Sequence, residues 1–276
     1  MPQQPQSLAA WLAYLGQADI PVLRYTAREL ERLRADENLL DARSIADVVT
    51  DDPLMTVKLL RYLQTHKHRN QTYELVDVKQ TLLMLGLDTF FREVPAMPIA
   101  EDRLSDHRIA LVHLLQTVRR AQRAAHYAYD WALRLHDLHA EEVFVSALLT
   151  YTSEMLMWCF NPDQMIEIAR RLAADPSLRS MDVQKQVLGF AGVELQRQLT
   201  TEWQLPELLR NLTDPSQANT SRVRNVALAV NLARHSALGW DNAALPDDYR
   251  EIGALLRMPP DKVMALVKPR SGVAPE

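Results

Sequence analysis

The chain has 276 residues, a net charge of −4 and only seven glycines. Average glycine usage is about 7%, and glycine supplies the positive φ of hairpins, bulges and phosphate-cradling loops. The scarcity of glycine, with no GxGxxG or GxxxxGKS/T run, therefore excludes a hairpin-rich β fold and removes the main support for dinucleotide and P-loop sites. The lone Cys159 excludes an intrachain disulfide and a cysteine-based zinc cluster, and the slightly acidic balance gives no reason to expect nucleic acid or an anionic membrane as partner.

Residues 1–14 read as a flexible N-terminus that opens on the polar MPQQPQS, and the first 25 residues lack the cationic start and apolar run of a secretory signal. The expected location is the cytoplasm. Thr26 with Glu29, and Ser44 with Asp47, have the three-residue spacing of capping boxes. Asp52-Pro53 sets an N-cap before a proline at the first helical position, and Leu54, Val57, Leu60 and Leu63 follow at helical spacing. Asp77 caps a further helix lined by Val78, Leu82 and Leu85, which ends at Gly86.

Pro95 and Pro98 mark a lobe boundary near 95–105. Beyond it, helices are predicted over roughly 105–138, 141–160, 162–174, 181–201, 206–212, 219–238, 247–257 and 260–267. The run VFVSALLTYTSEMLMWCF, Val143 to Phe160, approaches the length of a membrane span. Ser146, Thr150, Thr152, Ser153 and Glu154 interrupt it, so a buried core helix is expected, and no membrane partner. No segment alternates with period two, and the chain reads as all-α.

Two stretches have a familiar order. Ser44 to Leu87 runs from an acidic-Pro-Leu helix start through Lys58-Leu59-Leu60-Arg61 to a helix ending in Leu85-Gly86-Leu87. Leu188 to Pro206, LGFAGVELQRQLTTEWQLP, has an L-G start and a W-x-L-P end. Together with His126 in a helix, and an apolar helix after Glu141-Glu142, this pattern resembles the HDOD family of bacterial signalling proteins. The resemblance implies an HDOD domain over 15–215, with an N-terminal lobe at about 15–98 and an HD-like lobe at about 105–215. Residues 216–267 would be C-terminal helices completing the bundle, and 268–276 a flexible tail.

HDOD domains are related to metal-dependent HD phosphohydrolases, which hold metal with a first His, a His-Asp pair and a late Asp. Carried onto this sequence, the first His is His126. The G-L-L-H-D-I-G stretch falls on Ala147 to Ser153, so Thr150-Tyr151 replaces His-Asp. A later D-H falls on Ala191-Gly192, and the late Asp falls at Arg234. One ligand-type residue survives, which implies no bound metal, no cofactor and no catalysis. The expected role is a non-enzymatic regulatory module that contacts signalling proteins; the alternative is a divergent phosphohydrolase acting on a nucleotide or cyclic dinucleotide.

Other groups carry two readings each. Arg119, Arg123 and His126 share a helix face, either solvated or a wall for a small anionic ligand. His66-Lys67-His68-Arg69 either complements a helix C-terminus or contacts phosphate. His136 and His139, beside Asp137, Glu141 and Glu142, are either an exposed turn or a transition-metal pair.

Overall fold

The computed structural model describes residues 5–36, 38–66, 77–175, 177–212 and 214–268. Lys67, His68 and Arg69, and residues 269–276 of the expected tail, lie outside them. Among the described residues the regular structure is helical, apart from one isolated bridge between Val22 and Ile99.

The first correction is at the N-terminus. Residues 8–14 are not a flexible lead but part of α1 (Leu8–Gln17), whose Ser7 cap accepts from the Ala10 N–H at 3.2 Å. Leu8, Trp11, Leu12 and Leu15 recur at helical spacing, and Trp11 and Leu15 are each 1% exposed. Burying an indole and a leucine offsets the entropy of ordering this turn of chain.

Both expected capping boxes are displaced. α2 (Arg24–Ala35) starts after Leu23, and Thr26 lies inside it, its hydroxyl donating to Asp52 Oδ2 at 2.9 Å. α3 (Ala42–Asp51) is capped by Asp41, which accepts from the N–H groups of Arg43 and Ser44. Aspartate wins here because its carboxylate takes two orphan donors and the Ser44 hydroxyl together. The Asp52-Pro53 start holds, opening α4 (Pro53–Thr65), and Asp77 caps α5 (Val78–Leu85) through the Gln80 N–H. Gly86, at φ +79°, turns the chain directly into α6 (Leu87–Glu93).

The stretch leading into α7 is pinned. Val22 N–H donates to Pro98 O and Ala100 N–H to Val22 O, each at 2.9 Å, just before α7 (Ala100–Arg103). α8 (Arg108–Arg134) follows, then α9 (Ala140–Leu148), a 3-10 turn at Leu149–Tyr151 and α10 (Thr152–Phe160). The segment Ala140–Phe160 is apolar and long enough to cross a membrane, yet 78% of its most apolar window is buried inside the fold. After α11 (Pro162–Ala174), the helix expected over 181–201 is two: α12 (Ser180–Leu188) and α13 (Gly192–Glu202), separated by Gly189 at φ +84°. α14 (Glu207–Asn211), α15 (Ser221–His235), α16 (Leu245–Leu256) and α17 (Pro260–Val267) complete the order.

Three apolar clusters organise these helices. The first, from α2 to α6, includes Leu30, Ile45, Val49, Met55, Leu59, Leu82 and Phe90. The second joins Trp11 of α1 and Leu54 and Val57 of α4 to Leu114, Met155, Trp158, Leu195 and Trp203. The third holds the far half of α8 against α9 and α15 to α17, around Trp131, Val143, Val226, Leu232 and Ile252. Ala121, Ala125, Ala128 and Ala132 form its α8 face, and their small side chains let α9 and α15 approach closely. α4 serves two clusters at once, because Met55 and Leu59 lie on one side of the helix and Leu54 and Val57 on the other.

Asp52 anchors that helix. It is fully buried and accepts from Leu23 N–H, Thr26 Oγ1, Leu54 N–H and Met55 N–H at 2.8 to 3.2 Å. Burial pushes its carboxyl up to about 6, and the four donors pull against that rise. Replacing Asp52 by Ala orphans those donors and is expected to lower the unfolding free energy by about 3 kcal/mol in urea titrations. Trp11→Ala is expected to lower it by about 3 kcal/mol as well, since it empties a buried indole site. A truly flexible N-terminus would show no loss.

Candidate functional site

The 3-10 turn between α9 and α10 places the Thr150-Tyr151 pair. Thr150 Oγ1 donates back to Ser146 O at 3.0 Å, which occupies its hydroxyl within its own helix. Tyr151 lies flat beneath the Arg120 guanidinium, with Cζ 4.3 Å from the ring centroid. Arg120 reaches from α8 and donates to both Glu154 oxygens, at 2.8 and 2.9 Å, while Thr117 Oγ1 donates to Glu154 Oε1 at 3.0 Å. Burial raises the Tyr151 hydroxyl above its ordinary value; the charges of Arg120 and Arg234 pull it down, and Glu154 pushes it up.

The expected site residues are only partly brought together. Arg234, near the C-terminus of α15, is exposed, bonds Asn231 Oδ1 at 3.1 Å, and acts electrostatically on Tyr151. Gly192 starts α13; its N–H donates to Gln184 Oε1 at 2.8 Å and its carbonyl accepts from Ser153 Oγ at 3.2 Å. A Cβ there would come within 3.3 Å of Gln184 Oε1.

His126 does not join them. It lies nine residues after Thr117, which at 100° per residue puts it about 180° around α8 from the face that meets Glu154. Its ring packs edge-on against Phe144, its Nδ1 is 2.7 Å from Gln122 O, and its charged neighbour is Asp51 of the N-terminal lobe. Arg119, Arg123 and His126 lie within about 60° of one another around α8, each with its own surroundings. Arg123 donates to Ser236 Oγ at 2.9 Å and faces Trp240, while Arg119 is exposed.

The groups that act on Tyr151 are Arg120, Glu154 and Arg234, and Thr117 bonds that glutamate. The Arg119-Arg120 pair and the lone acid in an apolar run were visible in the sequence. Which arginine faces the 3-10 turn depends on how α8 is rotated, and that is set by its alanine face.

Away from Tyr151, a cleft of about 1080 Å³ is lined by Asp77 and Gln80 at the start of α5, the α8–α9 turn, α14 and the start of α15. His136 and His139 line it, but Arg222 takes the nearby carboxylates, donating to Asp137 at 2.8 Å through two nitrogens and to Glu142 at 3.3 Å. Among the described residues no group of three or more His, Cys, Asp or Glu could hold a metal ion. His66 stacks on Tyr62 with ring centroids 4.1 Å apart, ending α4.

At the positions where the resemblance places metal ligands, this chain has His126, Thr150, Tyr151, Gly192 and Arg234, with His126 on another side of α8 and the Arg120–Glu154 pair beside Tyr151. A guanidinium, a glycine and a hydroxyl already bonded to a carbonyl do not fit a divalent cation. Arg120→Met is expected to lower stability by about 2 kcal/mol, because it strands a half-buried carboxylate. The double variant Arg120→Met/Glu154→Leu is expected to recover part of that loss, with at least about 1 kcal/mol of coupling in the unfolding cycle.

The family profile described as the HDOD domain matches residues 20–218. Among solved structures, the response regulator MmoQ from Methylococcus capsulatus superposes with a TM-score of 0.69 at 16% identity, over 92% of this chain and 100% of that one. A virulence factor from Campylobacter jejuni superposes with a TM-score of 0.68 at 16% identity, over 95% of this chain and 97% of that one. At such identity these two show a shared fold. No curated protein matches the sequence. With a family match over most of its length and the all-α architecture described above, the chain belongs to the HDOD family.

Proposed function

We propose that this protein is a non-enzymatic regulatory module of bacterial signal transduction, acting in the cytoplasm by contact with signalling proteins and modulated by a small anionic ligand. Membership of the HDOD family supports a signalling-related role, and so does the fold shared with a protein named a response regulator. The observation that carries the non-catalytic reading is the chemistry at the 3-10 turn. Metal-assisted hydrolysis needs carboxylate and imidazole ligands that leave water bound to the ion. Here Tyr151 lies under a guanidinium, the single nearby acid is already bonded to Arg120, and Arg234 adds a second positive charge.

A net charge of −4 gives nucleic acid little electrostatic reason to bind. The test is metal analysis of the purified chain combined with a phosphodiesterase assay in Mn²⁺ or Mg²⁺. No turnover above the protein-free rate and substoichiometric metal are expected. Stoichiometric metal together with turnover would overturn the proposal in favour of a divergent phosphohydrolase.

A further inference from the structure

Two donors at the Tyr151 cluster are buried and unpartnered: the Tyr151 hydroxyl and Arg120 Nε. A buried polar atom with no partner has given up its hydration for nothing in return, so native folds keep few of them. Glu154 does not fill the gap. Its oxygens take Arg120 Nη2 and Thr117 Oγ1, and neither bonds Arg120 Nε or the Tyr151 hydroxyl.

The charge balance points the same way. Arg120 and Arg234 both act on Tyr151, against the single carboxylate of Glu154. The cluster is thus net positive and has spare donors. It also reaches the surface: the Arg120 and Glu154 side chains are 23% and 34% exposed, and Arg234 is exposed.

We propose that Tyr151, Arg120 and Arg234 form a receptor for one oxyanion group, a phosphate or a carboxylate, carried by a small regulatory ligand. Such a group accepts from the phenol and from guanidinium N–H groups at once, and arginine presents its donors in a fork that suits both oxyanions. The site rests on the non-catalytic reading above and moves the anionic ligand from the His126 face of α8 to the face that meets the 3-10 turn.

The experiment is isothermal titration of the full chain with inorganic phosphate and, separately, with acetate, at ionic strength held constant with chloride. Saturable binding of one anion per chain is expected, weakened at least tenfold by Tyr151→Phe and by Arg234→Gln. Tyr151→Phe removes only an unpartnered hydroxyl, and Arg234 is exposed, so both variants are expected to keep the wild-type melting temperature without anion. Preference for phosphate or for acetate identifies the group. Absence of saturable binding by either anion would mean that water alone satisfies these donors and would overturn the site, as would binding that neither substitution weakens. Neither result bears on catalysis, since turnover in the phosphodiesterase assay is what would overturn the non-catalytic reading.

Discussion

The buried Asp52 carboxylate fixes the start of α4, the helix that two of the apolar clusters share. Its two oxygens hold the start of α2, the Thr26 hydroxyl and the start of α4. Six residues further along α4, the Lys58 ammonium, with its side chain 7% exposed, bonds Asp19, Ile20 O and Met97 O. Residues 19–26 and the segment at Met97 are thereby tied to one helix, and the Val22–Ile99 bridge joins the same two segments. An unpaired ammonium or carboxylate would be costly at such depth. Both are tolerated because each has several partners, and those partners come from segments far apart in sequence. α4 can then offer one side to the first apolar cluster and the other to the second without either lobe sliding.

From that frame the orientation of α8 follows. Its alanine face is pressed against α9 and α15, which fixes the rotation of the whole 27-residue helix. Thr117 and Arg120 then meet the α9–α10 turn, and His126 faces Phe144 and the N-terminal lobe. The 3-10 turn matters for the same reason. It carries Tyr151 out of the α-helical path, so the ring can lie beneath Arg120.

Much of this fold was legible in the sequence. The Asp52-Pro53 start, the Asp77 cap, Gly86 and the helical spacing after Leu54 are local signals, and local physics decided them. The misses have two causes. Thr26 has the spacing of a cap, but Asp52, twenty-six residues away, takes its hydroxyl. Gly189 sits inside a convincing apolar pattern, and the break depends on its positive φ. Trp11 lies close to polar residues, and its burial depends on helices that come much later in the chain. For Thr26 and Trp11 a tertiary contact outweighed a local preference, whereas at Gly189 a local backbone turn cut an apolar pattern that runs on past it.

The same distinction governs the site. Family motifs place residues by order along the chain, and order alone put His126, Thr150, Tyr151, Gly192 and Arg234 in one expected site. It fails for His126, because position within a helix also fixes a direction, and a displacement of six residues, from Arg120 to His126, turns a side chain by about 120°. The residue facing Tyr151 is therefore an arginine, held by a glutamate that the sequence shows only as an interruption of an apolar run. The consequence is an inversion of charge. A pocket of carboxylates and imidazoles attracts a cation, whereas two guanidinium groups around one neutralised acid repel it and favour an anion. On the proposed reading, the guanidinium groups of Arg120 and Arg234, more than any single position without a ligand, set this cluster against a divalent cation.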